Sequence, residues 1–188
     1  VIPIRANANP PMNLNNPDTA IGMKDYYNRV QYGDWPTAYG QNYTATLDAN
    51  GIQKNEDGSF KTKKTDDVYE KDEKSGTYRK VGERFDYIYA PEHVSFMPRM
   101  FNEDKDVMQN YISMYGAPDF SFNYENEDIA DNPEAMRIFD ELRTKYDNGT
   151  IKVSDYLQVK GYNLLKVQKP SLGQNLDYFF SFQNGYYF

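Results

Sequence analysis

The chain has 188 residues, 28 of them acidic and 21 basic, for a formal charge of −7 and a mean hydropathy of −0.88. That length allows one core of ordinary size, the acidic balance argues against a nucleic-acid partner, and the lack of cysteine excludes disulfides, thiolate nucleophiles and cysteine-ligated zinc. With 18 Tyr, 11 Phe and one Trp against an apolar share of 39%, aromatic side chains are expected to build the core; no apolar run approaches the ~18 residues of a membrane span.

The opening stretch RANANPPMNLNNPDTA carries Pro10, Pro11 and Pro17 and predicts a loop. From Thr19 to Tyr32, Ile21, Met23, Tyr26, Tyr27 and Val30 predict a short helix capped by Asp18 and closed by Gly33. A short strand is expected between Tyr43 and Leu47, with turns at Asn50-Gly51 and Asp57-Gly58. The charged segment KTKKTDDVYEKDEKSGTYRKV reads as an exposed hairpin, with Val68, Tyr69, Tyr78 and Val81 on either side of a Ser75-Gly76 turn. Phe85 to Ala90 alternates aromatic and β-branched residues as a strand does, and Pro98 ends the extended run VSFMPRMF.

Helices are expected over the remainder. One runs from Asp104 to Tyr115. Another has Asn132 as N-cap, Pro133 in its first turn, an apolar face of Met136, Phe139, Leu142 and Tyr146, and Asn148-Gly149 at its end. A third begins at Ser171, which forms a capping box with Gln174. The fold class is therefore α+β, a small antiparallel hairpin sheet flanked by several α-helices around an aromatic-rich core. The chain is expected to form a single domain over 1–188, with a motif-bearing loop and helix over 1–42, the hairpin sheet over 43–100 and a helical part over 101–188.

Chemistry-bearing patterns are sparse. His93 is the only histidine and no serine lies in a nucleophile elbow, so it reads as a loop residue after Pro91 more readily than as a triad member. The acidic groups Asp66-Asp67, Glu70, Asp72-Glu73 and Glu125, Glu127, Asp128, Asp131 read as solvated surface. The second sits in NYENEDIADNPE, which lacks the glycine of a calcium-binding loop. The dense group Tyr26, Tyr27, Tyr32, Trp35, Tyr39 and Tyr43 could stack on sugar rings or on a protein surface, or could simply be core. The sequons at Asn42 and Asn148 are explained by chance. No catalytic residue, metal ligand or cofactor is expected.

Three strings are more distinctive: IRANANPP (Ile4 to Pro11), YYNRVQYGDWPTAYG (Tyr26 to Gly40) and FMPRM (Phe96 to Met100). In that order, and together with the tail QNLDYFFSFQNGYYF, they resemble a family of large bacterial multi-pass membrane proteins, domain of unknown function family 2723. That family has a membrane core similar to the GT-C architecture of protein O-mannosyltransferases. Val30 and Asn184 depart from its pattern. The resemblance implies a soluble loop domain on the periplasmic face of the inner membrane, accessory to a glycosyltransferase whose catalytic carboxylate lies outside this chain. The apolar ends would then adjoin membrane spans. It implies as partners the rest of the parent protein and a lipid-linked sugar or a glycan or protein acceptor. The candidate binding residues are Arg5, Asn9, Arg29, Gln31, Tyr32, Trp35, Tyr39 and Arg99, with Arg5, Arg29 and Arg99 suited to bidentate phosphate or carboxylate pairing. The alternative is a glycan- or protein-binding surface module of the cell envelope using Tyr32, Trp35 and Tyr39.

Overall fold

A computed structural model of the chain describes residues 4, 8, 19–27, 35–72, 74–126 and 131–187. It is α+β, with six α-helices and three two-stranded antiparallel sheets among those residues. The chain divides into two compact units, Val1–Trp35 with Lys64–Arg84, and Pro36–Lys63 with Phe85–Phe188.

In the first unit, helix α1 spans Ala20–Tyr27. Its cap is Thr19, whose hydroxyl accepts from the Gly22 amide at 3.0 Å; Asp18 and Gly33, expected at its two ends, lie outside the described residues. The charged segment forms the expected hairpin. β2 (Thr62–Lys71) pairs with β3 (Tyr78–Tyr87), and the turn is closed by the Gly76 and Asp72 amides, which bond to the Asp72 and Thr77 carbonyls at 2.8 and 2.9 Å. Gly76 has φ +67°, a conformation glycine adopts without strain. Almost every hairpin residue is exposed. Its surface is held by ion pairs of Lys64 and Lys80 with Asp67 and Glu83, and of Lys24 on α1 with Asp66. Charged strands of this kind resist pairing with foreign edges.

The second unit holds the core. β1 (Tyr39–Gln41) pairs antiparallel with β4 (Val94–Phe96), Gly40 opposite Ser95. The strand expected from Tyr43 to Leu47 is instead the helical turn α2 (Thr44–Leu47). Thr44, Ala45 and Leu47 are all buried, whereas a half-buried strand would turn alternate residues outward. Gly51 packs on this turn so closely that a Cβ there would stand 2.1 Å from the Ala45 carbonyl oxygen.

α3 (Lys105–Tyr115) is capped by Asp104, which accepts from the Asp106 amide at 3.0 Å, and ends at Gly116. α4 (Pro133–Asp147) is capped by Asn132 and ends before Gly149, whose φ is +65°. Its buried face is Ala135, Ile138, Phe139 and Leu142, so the inward direction is rotated from the expected one and Met136 is only half-buried. α5 (Val153–Lys160) carries no sequence signal strong enough to predict it. The last sheet pairs β5 (Phe120–Phe122) with β6 (Leu165–Val167), Phe120 opposite Val167 and Phe122 opposite Leu165. α6 (Leu172–Tyr187) starts with the expected box, the Ser171 amide donating to Gln174 and the Gln174 amide to Ser171. Among the described residues no helix is long and apolar enough to cross a membrane.

Leu47, Met100, Met108, Leu142, Val159 and Leu164 fill the deepest positions. The aromatic residues gather around them in two clusters. Tyr43, Tyr111 and Tyr178 form one, with centroids 5.1 and 5.2 Å apart; Phe120, Phe139, Tyr146 and Tyr156 form the other. Buried phenols need partners, and the Tyr156 hydroxyl donates to the Pro118 carbonyl at 2.7 Å. Asn175, fully buried on α6, accepts from the Arg99 and Met100 amides at 3.1 and 3.2 Å and so ties the FMPRM loop to that helix.

Candidate functional site: an aromatic groove on the second unit

Alternation along β5 turns Phe120 and Phe122 to one face and Ser121 to the other. On α4, Phe139, Arg143 and Tyr146 recur at steps of four and three and share a side of the helix. The two elements bring these residues together in an open groove of about 520 Å³. Phe120 stands 5.1 Å from Tyr146 and 6.3 Å from Phe139, Phe122 stands 5.3 Å from Phe139, and all these pairs meet edge to face. Both phenylalanines keep part of their surface open, and Tyr124, 5.1 Å beyond Phe122, is 78% exposed.

The rim is polar: Asp119, Arg143, Asp147 and Gln168. The Tyr146 hydroxyl donates to Asp119 Oδ1, and this bond, reinforced by partial burial, pushes the phenol pKa up to about 12. Asp119 is thereby held in place with its second oxygen available to accept. Arg143 forms no ion pair among the described residues.

A second, more charged cleft of about 690 Å³ lies on the Ser121 side, lined by Glu92, His93, Glu125, Lys166 and Lys169 among others. Both of its lysines are already engaged: Lys166 pairs with Glu125 at 3.1 Å, and Lys169 donates to the Val94 carbonyl at 2.6 Å. At its base, His93 is no loop residue but is 3% exposed at the end of a short 3₁₀ turn, Pro91–His93. Its Nδ1 is 3.0 Å from the Thr44 hydroxyl and its Nε2 3.5 Å from Asp48 Oδ2. The hydroxyl, imidazole and carboxylate stand in line as in a hydrolytic triad but with the two ring nitrogens exchanged, and Thr44 is completely buried, so no substrate carbonyl can reach its oxygen. Asp48 also accepts from the Val167 amide at 2.6 Å and the Asn50 amide at 2.8 Å. Burial alone would raise its pKa, but the bonds from His93, Val167 and Asn50 together hold it below the usual carboxylate range. This cluster joins α2, the 3₁₀ turn and β6.

The residues singled out in the sequence do not form a described site. Arg5, Asn9, Arg29, Gln31 and Tyr32 lie outside the described residues. Trp35, 66% exposed, falls in the first unit and Tyr39, 69% exposed, in the second. Arg99 is half-buried with its guanidinium 4.5 Å above the Phe179 ring. Asn42, the acceptor of one sequon, is fully buried and bonds to the His93 carbonyl and Ser95, which excludes its glycosylation in the folded chain. Among the described residues no three His, Asp or Glu side chains converge on a metal position. The groove itself escaped sequence reasoning, although the string FSF offered a trace of it.

Residues 33–180 match the model of a family described as a family of unknown function (DUF8416). The chain belongs to this family. The match overturns the resemblance to the multi-pass membrane family with a GT-C core. That resemblance rested on short strings rich in Asn, Pro, Gly and Arg, which recur wherever loops need tight turns, whereas this match runs through the whole second unit up to α6. The glycosyltransferase reading, which was drawn from that resemblance, is left without support. No curated protein and no solved structure matches the chain. The matched residues include every side chain of the aromatic groove.

Proposed function

We propose that this domain is a binding module that seats a glycan chain in the groove between β5 and α4. One observation carries this reading: open aromatic surface at Phe120, Phe122 and Tyr146 lies directly beside planar hydrogen-bonding groups on Asp119, Arg143 and Gln168. Sugar rings have an apolar C–H face that stacks on aromatic rings and an edge of hydroxyls that needs just such donors and acceptors. The volume falls within the range of ligand sites, about 300–1,000 Å³. The open shape suits a chain passing through more than a small molecule enclosed. Catalysis is not part of the proposal, because in the one hydroxyl, imidazole and carboxylate grouping Thr44, which carries the hydroxyl, is completely buried.

The test is a calorimetric and NMR titration of the full chain with a panel of oligosaccharides. Binding should weaken about tenfold, or 1.4 kcal/mol, in Arg143→Ala and in Phe122→Ala. Arg143 is exposed, so its replacement leaves the fold intact and isolates the rim contribution. If no oligosaccharide perturbs the amides of β5 and α4, or if both variants bind as the parent does, the proposal fails.

A further inference from the structure

We infer that the groove is selective for neutral sugars and rejects uronic acids, an inference that rests on the glycan reading above. Two carboxylates, Asp119 and Asp147, stand on the rim against a single guanidinium, Arg143, so the formal charge of the groove is negative, as is that of the whole chain. Carboxylates only accept hydrogen bonds, and the Oδ1 of Asp119 is already taken by Tyr146. What the two carboxylates offer is therefore acceptors for sugar hydroxyl donors, beside the donors of Arg143 and Gln168. A uronate brings a further acceptor and a further negative charge. Arg143 alone could pair with it, while Asp119 and Asp147 repel it. A neutral hydroxymethyl group at the same ring position brings a donor.

The experiment compares neutral and uronate oligomers of equal length, linkage and ring configuration, mannotetraose against tetramannuronate and cellotetraose against tetraglucuronate, by titration calorimetry. The neutral oligomers should bind at least about tenfold more tightly, with an affinity that changes little between about 20 and 500 mM NaCl. In the exposed variant Asp147→Asn, which leaves Asp119, Arg143 and Gln168 in place, uronate binding should rise about threefold while neutral binding stays within about twofold. A uronate that binds as tightly as its neutral partner overturns the inference and leaves the glycan reading standing. If neither class binds, both are overturned.

Discussion

Asp48 is buried, yet its carboxylate is held by two backbone amides and faces an imidazole. A carboxyl whose pKa is depressed on folding adds stability that is fully present above the unfolded value, about 4, and is lost as pH falls through the lower folded value. Urea midpoints measured from pH 7 downward should therefore drop steeply below about pH 4. Asp48→Asn should flatten that drop and cost roughly 2 kcal/mol at neutral pH, since the amide side chain cannot serve the same three donors. Gly51 is constrained differently. Any Cβ would collide with the backbone of Ala45, which no side-chain rotation relieves. Gly51→Ala should destabilise by about 3 kcal/mol, read as a shift of the denaturant midpoint with unchanged slope. In the groove, an NMR titration that follows the Tyr146 ring should show its phenol raised above an ordinary tyrosine, and Asp119→Asn should bring it down by removing the carboxylate that holds its proton.

Helices α3, α4 and α6 each begin with a side chain that satisfies an otherwise orphaned amide: Asp104, Asn132 and Ser171. These were legible because caps act within three or four residues of chain. Asn132→Ala should cost about 1 kcal/mol, a midpoint shift that Asn132→Ser largely restores. The inward face of α4 was not fully legible, since Met136 and Ile138 are equally apolar and only the position of α5 and β5 decides which of them is covered. The strand expected at Tyr43 failed for a related reason. Its β-branched and aromatic residues suit a sheet, but the Asn42 and Tyr43 amides are drawn to the carbonyls of His93 and Met100, far away in sequence, and the next residues fold back as α2. Strands β5 and β6 have three residues each, too few for a period-two pattern to register.

At the scale of the molecule, the buried cluster from Tyr43 to Val167 lies wholly within the second unit, and so does the groove. Among the described residues, the distal hairpin, residues 64–84, contributes no side chain to either. Replacing that segment by a short Gly-containing turn should leave the helical circular dichroism and the oligosaccharide affinity unchanged. A collapse of the helical signal would show that the second unit does not fold by itself.

Composition and local pattern determined the α+β class, the exposed charged hairpin and the ends of the capped helices, because each depends on residues a few positions apart. Cysteine content and charge likewise limited the chemistry before any fold was known. Only the tertiary structure decided where the aromatic residues meet. Phe120 and Phe122 are brought to Phe139, Arg143 and Tyr146 by the pairing of β5 with β6, some forty residues apart, and by the packing of α4 beneath them. His93 was a single unremarkable letter until α2 and β6 enclosed it. Nonlocal contacts of this kind carry no signature in a short window of sequence, and the groove is made of nothing else.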